Sequence, residues 1–295
     1  MGSSRAYRFE AGEPLPEEIA RVARGRIDHA IDELSGKTGS SEVDAVHEAR
    51  KDLKKLRALL RLARGELGAR VFARENACFR DAAAELSGVR DADVMLETLD
   101  ALDLPAGMGW ELRKVVQAHR GRDGHGRESA ARGVVAMLGE ARGRIGDWPL
   151  RDDSFDALAD GLERTYRRGR RDFKAARAEP GTHALHEWRK RVKQLWYQHG
   201  LLRSLWPPVM EAVAKDAHEL SNLLGDDHDL AVLADWMREH ADPPPELFEA
   251  IDRRREALAR DSLALGERLY AEKPGAYVAR LGRLWRARAS RVRAP

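Results

Sequence analysis

The amino-acid sequence predicts an all-α fold made of two four-helix-bundle-like halves that are related by an internal pseudo-twofold duplication. Apolar residues recur three and four positions apart along the chain, and the sequence contains no alternating run typical of a β-strand. Alanine, leucine, arginine and glutamate are abundant, and these residues lose little conformational freedom in a helix. An eleven-residue motif that occurs twice indicates the duplication.

Glycine, proline and paired acidic residues divide the chain into helices that follow a short N-terminal tail, 1–14. In chain order, the predicted helices span 16–35, 42–64, 69–88, 91–102, 108–146 with a break near 121–126, 153–178, 183–204, 208–224, 228–241, 244–270 and 274–290. The first half is expected to cover 15–148 and the second half 149–295.

Local signals set the main boundaries. The second helix follows 39-GSSE, and a helix of the second half follows 180-PGTH; both segments supply plausible N-cap residues. The segment 121-GRDGHGRE is glycine-rich and polar, which predicts a loop. The run 146-GDWPLRDD combines Gly, Pro and paired Asp residues near the midpoint of the chain, so it is the predicted linker between the halves.

Composition excludes several classes of protein. Hydrophobic residues make up 43% of the 295 residues and charged residues 34%, which is typical of a globular chain with a strongly polar surface. Cys78 is the only cysteine, so an intrachain disulfide and a thiolate metal cluster are excluded, and Cys78 is expected in the core. No signal-peptide stretch and no run near the roughly 18 apolar residues of a membrane span is present. We therefore expect a cytoplasmic protein without a membrane partner.

The repeated motif lies in the second predicted helix of each half. The stretch 47-HEARKDLKKLR-57 matches 186-HEWRKRVKQLW-196 at six of eleven positions. Further along the chain, 85-ELSGVRDAD-93 resembles 219-ELSNLLGDDHD-229, with a length difference of two residues. Two related helical halves are the simplest explanation of both matches.

Each copy of the motif predicts a helix with an apolar face and a cationic face. The apolar faces comprise Val46, Ala49, Leu53, Leu56, Leu60 and Ala63 in the first copy, and Leu185, Trp188, Val192, Leu195 and Leu202 in the second. The polar faces comprise His47, Arg50, Lys51, Lys54, Arg57 and Arg61 in the first copy, and His186, Arg189, Lys190, Lys193 and Tyr197 in the second. Neighbouring like charges on a helix repel by a few tenths of a kcal/mol per pair. A repeated cationic face therefore favours a polyanion site over a solvated surface, which stays the alternative.

The two motif histidines fall near the N-termini of their helices, where the helix dipole favours anions. A bound polyanion would favour the protonated imidazole. His47 and His186 are therefore expected to be pH-sensitive contacts.

Two patterns in the sequence bear on metal chemistry. An H-E-x-x-H metalloprotease site is excluded, because Lys51 and Lys190 occupy the position of the second histidine. The pair His228–Asp229 is similar to the signature of HD-type metal-dependent phosphohydrolases, and this class stays an alternative. Further ligands would be needed, and the spacing singles none out among His186, His218 and Asp235.

The first half offers no second copy of that metal pattern, since it has 90-RDAD without a histidine at the equivalent place. Helix capping or an interhelical ion pair is a sufficient explanation of the acidic residues at predicted helix starts. These are Asp91, Asp93, Asp227 and Asp229. No metal site, catalytic residue or cofactor is predicted.

Nucleic-acid binding is the other alternative, because basic helices bind phosphates in general. However, no helix-turn-helix signature is evident, and the repeated stripe lacks the Asn, Gln and aromatic residues that read or stack bases. A stripe of Lys, Arg and His favours a ligand that is nearly all phosphate.

Four segments resemble the CHAD domain, the conserved histidine α-helical domain. They are 46-VHEARKDLKKLRALLRL-62, 88-GVRDADVML-96, 185-LHEWRKRVKQLWYQHGLL-202 and 224-LGDDHDLAVL-233, and the resemblance extends over about residues 15 to 290. It implies two four-helix-type bundles around a basic groove or pore that binds inorganic polyphosphate, without catalysis. It also implies that phosphate or sulfate ions can occupy the groove, and that the protein associates with polyphosphate granules.

The resemblance assigns polyphosphate binding residue by residue. The matching positions are His47, Arg50, Lys51, Lys54 and Arg57 in the first motif, and His186, Arg189, Lys190, Lys193 and Tyr197 in the second. The stretch 161-GLERTYRRGRRDFKAAR-177 resembles the arginine-rich helix that precedes the second motif in the family, and it adds Arg164, Arg168 and Arg171. Arg21 and Arg24 hold similar places in the first half. Trp196 departs from the family pattern, which often has a basic residue there.

Overall fold

The computed structural model describes residues 5–86, 91–105, 107–118 and 127–292, and over these residues the fold is all-α, as predicted. The helices are α1 (Leu15–Leu34), α2 (Glu42–Leu62), α3 (Arg64–Glu85), α4 (Asp91–Asp100), α5 (Met108–Ala118), α6 (Arg127–Arg144), α7 (Asp156–Ala178), α8 (Thr182–Leu201), α9 (Pro207–His240), α10 (Pro245–Leu269) and α11 (Pro274–Val292). Two short 3-10 helices, Ile145–Asp147 and Arg203–Leu205, precede α7 and α9. Within the described ranges, no helix combines the length and apolar character needed to cross a bilayer.

The starts of the two motif helices differ in detail. At α2, the Ser41 hydroxyl accepts a hydrogen bond from the backbone N–H of Asp44 at 3.2 Å, so 39-GSSE supplies the expected N-cap. At α8, Gly181 precedes the first turn without a capping side chain. The hydroxyl of Thr182 instead accepts a hydrogen bond from Arg255 of α10 at 2.7 Å.

One predicted break between helices is absent from the structure. The helices expected at 208–224 and 228–241 form the single 34-residue helix α9. Asp227 and Asp229 therefore lie inside a helix and do not cap one. Asp227 is buried and accepts a hydrogen bond from Nε of Arg255 at 2.9 Å, which is the interhelical ion pair given above as the other explanation. The side chains of Asp91 and Asp93 lie outside the described residues.

The main hydrophobic core draws residues from both halves of the sequence. Helix α2 packs between α1 and α3, α8 packs between α7 and α9, and α2 also lies against α7 and α8. Fully buried side chains include Leu53 and Leu56 of α2 and Trp188 and Val192 of α8. Burial of each such side chain contributes about 1.5–3 kcal/mol, so both motif helices are anchored by their predicted apolar faces.

The segment predicted as an N-terminal tail packs on this core over residues 5–14. Phe9 is buried, and its backbone N–H donates to the carbonyl of Leu201 at 2.9 Å. The hydroxyl of Tyr7 donates to the carbonyl of Lys55 at 3.1 Å. The segment thus bridges α2 and α8.

A second, smaller core joins α4 and α5 to α9 and α10. Leu99 of α4 and Val116 of α5 are buried there with Leu233 of α9 and Ile251 of α10. The α4–α5 pair belongs to the first half by sequence, yet its apolar residues pack with helices of the second half. The pseudo-twofold relation between the halves stays a prediction.

Candidate functional site

The cationic faces of the two motif helices meet where α2 lies against α8. Lys193 of α8 is half-buried, and the charges of Arg189, Lys54 and Arg50 act on its amine. Burial is the largest cause, and these three cations add to it, so the pKa of Lys193 falls to about 7; Asp229 of α9 opposes the shift. We call Arg50, Lys54, Arg189 and Lys193 the central cation cluster.

The third helix at this cluster is α9, which approaches Arg189 at a glycine. A Cβ atom at Gly225 would lie 2.9 Å from Nη2 of Arg189. The guanidinium therefore rests on a bare stretch of α9, between α8 and the acidic residues Asp226 and Asp229, whose charges act on it. Burial nevertheless lowers the pKa of Arg189.

Lys51 of α2 and Lys190 of α8 lie next to this cluster, and each forms an ion pair with the motif glutamate three residues before it. Glu48 accepts from Nζ of Lys51 at 2.8 Å, and Glu187 pairs with Lys190. Burial alone would raise the pKa of the Glu48 carboxyl, but the hydrogen bond and charge of Lys51 hold it below its usual value. The Glu of each His-Glu pair therefore fixes the lysine three residues on.

Three histidines lie beside these cations. The rings of His186 on α8 and His228 on α9 have centroids 4.5 Å apart, and Nδ1 of each is buried without a hydrogen-bond partner among the described residues. Burial lowers the pKa of both, with further contributions from His228 on His186 and from Arg189 on His228. His218 of α9 is the third, and burial, Lys193 and Lys51 lower its pKa. His47 is half-buried and its charge acts on Glu48.

A second group of cations lies where α2, the first residue of α3, α7 and α8 approach one another. Its members, which we call the arginine cluster, are Arg61, Arg64, Arg164, Arg168 and Arg191. Burial, then Arg57, Arg191 and Arg168, lower the pKa of Arg61 to about 10. Burial lowers the pKa of Arg168, and the other cations that contribute are Arg191, Arg164, Arg64 and Arg171.

Two predicted site arginines beside this cluster have polar partners. Nε of Arg57 donates to Asn76 at 3.3 Å, and burial, followed by the charge of Arg80, lowers the pKa of Arg57. Arg171 pairs with Asp172 at 2.7 Å while its side chain stays 71% exposed. Both guanidinium groups remain next to the cationic surface but are partly committed to these contacts.

Tyr197 packs against other aromatic side chains. It is buried, its ring meets that of Tyr7 edge-on with centroids 6.3 Å apart, and its neighbour Trp196 stacks on it at 4.6 Å. Burial, together with the charges of Asp52 and Glu48, raises the pKa of Tyr197 to about 12. Carboxylates of α2, and not the central cation cluster, are thus its charged neighbours.

One position of the motif carries opposite charges in the two copies, Asp52 in α2 and Arg191 in α8. In each copy this residue forms an ion pair that attaches its helix to a neighbouring helix. Asp52 accepts from Arg26 of α1 at 3.1 Å and from His29 at 2.6 Å. Its counterpart Arg191 donates to Asp172 of α7 at 3.1 Å. Ion pairs of opposite polarity therefore attach α2 to α1 and α8 to α7.

Several residues beside the site are not among the positions that the two motif copies share, so the repeat does not reveal them. They are His218 as a neighbour of Lys51 and Lys193, and Arg61, Arg64 and Arg191 of the arginine cluster. Trp196 stacks on His218 with centroids 4.1 Å apart, so an aromatic pair stands where the family often has a basic residue. Arg61 lies on the predicted cationic face, which was the one available signal.

The described residues do not assemble the HD-type arrangement. His186 and His228 are adjacent, but no group of three or more His, Cys, Asp or Glu side chains that could hold a metal ion occurs in the described part of the chain. Asp235, one of the candidate ligands, pairs with Arg238 at 2.8 Å. The charge of Lys193 also acts on His228, which disfavours a nearby cation.

Comparisons with known proteins support the fold and identify the family. The crystal structure of the CHAD domain from the plant Ricinus communis matches with a TM-score of 0.61 and 20% sequence identity, over 94% of this chain and 95% of that chain. A similarity at this identity shows the fold alone. A search of curated proteins finds no match. The model of the CHAD domain family matches residues 21–238, well over half of the sequence, and the chain therefore belongs to the CHAD domain family.

Proposed function

We propose that this CHAD domain protein binds inorganic polyphosphate, without turning it over, in a basic groove lined by the cationic faces of α2, α7 and α8. The observation that carries the proposal is the central cation cluster. Four cations from two helices lie close together, and Lys193 forms no ion pair among the described residues. Like charges held together in a partly buried place destabilise the ligand-free protein, and a polyanion relieves that repulsion.

The chemistry of the residues suits a chain of phosphates. Arginine forms paired hydrogen bonds to two phosphate oxygens, whereas lysine acts as a compact point charge. The central cation cluster supplies both types, and the arginine cluster supplies further planar donors on α2, α3, α7 and α8. We extend the proposal to a cytoplasmic protein that associates with polyphosphate granules.

The test is the affinity for long-chain polyphosphate over a salt series, in the wild type and in the double variant Lys51→Glu/Lys190→Glu. Binding should weaken steeply with salt, because each phosphate contact releases counterions, by analogy with nucleic acids. Each reversed lysine also places a second carboxylate beside Glu48 or Glu187. We expect affinity to fall strongly, and the slope of log affinity against log salt to decrease by about two.

The matched control is Lys37→Glu/Lys273→Glu, which changes net charge equally at two exposed lysines outside the proposed groove. Its affinity should stay close to that of the wild type, and circular dichroism should show the same helicity in all three proteins. Undiminished binding by the Lys51→Glu/Lys190→Glu variant, or binding that does not depend on salt, would refute the proposal.

Two further measurements test the alternative functions. Single-stranded DNA at equal phosphate concentration should compete poorly. Polyphosphate length should not change with Mg²⁺ or Mn²⁺ present; metal-dependent phosphate release that His228→Ala removes would favour the phosphohydrolase.

A further inference from the structure

We propose that the amine of Lys193 takes up a proton when a polyphosphate chain binds, so that the central cation cluster is the pH-sensitive section of the groove. The inference rests on the proposed function and adds to it a mode of regulation. The titrating group is the amine of Lys193, so the pH response extends above neutral pH. This response is separate from that of the motif histidines.

The geometry around Lys193 is the starting point. The side chain is half-buried where α8 meets α2 and α9, and it forms no ion pair within the described ranges. The carboxylate of Asp229 acts on it with opposite charge, and the same carboxylate also acts on Arg189 and His228. The charged and titratable groups that face it are Arg50 and Lys54 from α2, Arg189 from α8, and His218, His228 and Asp229 from α9.

Burial and the three flanking cations set the protonation state of the free protein. They lower the pKa of Lys193 to about 7, so about half of the molecules carry a neutral amine at neutral pH. A phosphate chain brings several negative charges into the same partly desolvated place. Opposite charge favours the protonated amine, so the pKa in the complex moves back towards the ordinary lysine value of about 10.5.

The sign of the pH dependence follows from linkage. Between pH 7 and the pKa of the complex, the bound state holds more protons than the free state. Affinity therefore falls as pH rises through this window, by up to about tenfold per pH unit for one proton. The pKa values of His186, His218 and His228 are lowered from 6.5 in the free protein, and a bound polyanion raises them again, so these histidines add proton uptake mainly at the lower end of this window. Because the pKa of Arg61 is about 10, the difference between the wild type and a Lys193 variant at pH 8 to 9 isolates Lys193.

The experiment is isothermal titration calorimetry of the full chain with long-chain polyphosphate, at several pH values and in buffers with different ionisation enthalpies. Internal phosphates of such a ligand do not titrate in this range. The variation of heat with buffer gives the number of protons taken up. We expect about half a proton per bound Lys193 at pH 7 and close to one at pH 8.5.

Lys193→Arg keeps the charge but removes the titration. At pH 8.5 it should take up close to one proton fewer than the wild type, and its affinity should depend much less on pH there. Lys37→Arg is the matched control, because Lys37 is exposed and paired with Asp32 at 3.5 Å; it should behave as the wild type. If arginine does not fit, which loss of helicity would reveal, Lys193→Gln gives the same readout.

The outcomes separate the two proposals. Absence of polyphosphate binding at every pH would overturn the proposed function. Binding without proton uptake by the wild type, or with the same uptake by Lys193→Arg or Lys193→Gln, would overturn this inference and leave the proposed function standing.

Discussion

Lys193 carries its charge in a place where three other cations already act on it, and this arrangement costs the ligand-free protein free energy. An unfolded lysine holds its proton up to about pH 10.5, whereas folded Lys193 holds it only up to about pH 7. Between these values the unfolded state binds more protons, so stability rises with pH through this window. The cost is present in full below pH 7.

The substitution Lys193→Met should therefore stabilise the ligand-free protein at pH 7 and below. The pKa difference corresponds to an effect on the order of a few kcal/mol, and methionine fills a similar volume without a charge. Thermal unfolding at pH 6.5 should show a higher Tm, while polyphosphate affinity decreases. Lys37→Met at an exposed position should change stability by less than about 0.5 kcal/mol. A Tm below that of the wild type would contradict the account of the cluster.

The repeated pattern selected cations that lie close together in the structure. The motif selected Arg50, Lys54, Arg189 and Lys193, and the structure brings these four together. It could not select His218, because that residue reaches Lys51 and Lys193 only through the packing of α9.

The placement of Tyr197 was missed for a similar reason. Helical periodicity puts it on the polar face of α8, but Tyr7 covers its ring. Tyr7 belongs to a segment predicted as a tail, and nothing in its local sequence indicates where it packs.

Helix α9 illustrates the limits of local signals at the scale of elements. Gly225 and the acidic residues after it predict a break, because Gly weakens helices and Asp favours caps and turns. Tertiary contacts prevail over this preference. Arg189 of α8 lies against Gly225, and Arg255 of α10 pairs with Asp227. Both contacts require an uninterrupted helix at this point.

The substitution Gly225→Ala should lower the affinity for polyphosphate without lowering the stability of the protein. Alanine is better than glycine in a helix interior by up to about 1 kcal/mol, so helicity and Tm should be unchanged or higher. The added Cβ would lie 2.9 Å from Nη2 of Arg189, so the guanidinium must shift from its position in the central cation cluster. We expect polyphosphate affinity to fall several-fold, as measured by calorimetry. Gly139→Ala on α6, where the space is open, has the same helix benefit and should leave affinity unchanged; equal affinities in both variants would contradict this role of Gly225.

Over the whole molecule, the sequence division at residue 149 is not a division of the packing. Side chains from α1, α2, α7, α8 and α11 share the main core, and α4–α5 pack on α9–α10. At Gly161 the α7 backbone comes so close to α2 that a Cβ would overlap the Leu62 carbonyl oxygen. Periodicity predicts which face of each helix is buried, but it does not identify the partner helix. The helices could therefore be predicted with few errors. The packing of α4 and α5 from the first half on α9 and α10 from the second half could not be predicted.

The shared cores predict that neither half folds by itself. In a fragment 1–148, Leu99 and Val116 would lose Leu233 and Ile251, and α2 would lose its contact with α8. At about 25 cal/mol per Å² of exposed apolar surface, such losses are large beside the 5–15 kcal/mol that holds a typical domain folded. Fragments 1–148 and 149–295 expressed separately should show reduced helicity and no cooperative thermal transition.

Co-expression of the two fragments should restore a one-to-one complex with the helicity of the intact chain. The control is the full chain with a protease site inserted after Pro149: once cleaved, it should elute as one species in size-exclusion chromatography and keep its polyphosphate affinity. That result would show that contacts between the halves, and not the covalent link, maintain the fold. Cooperative unfolding of fragment 1–148 alone would instead mean that α4 and α5 can bury their apolar faces within the first half.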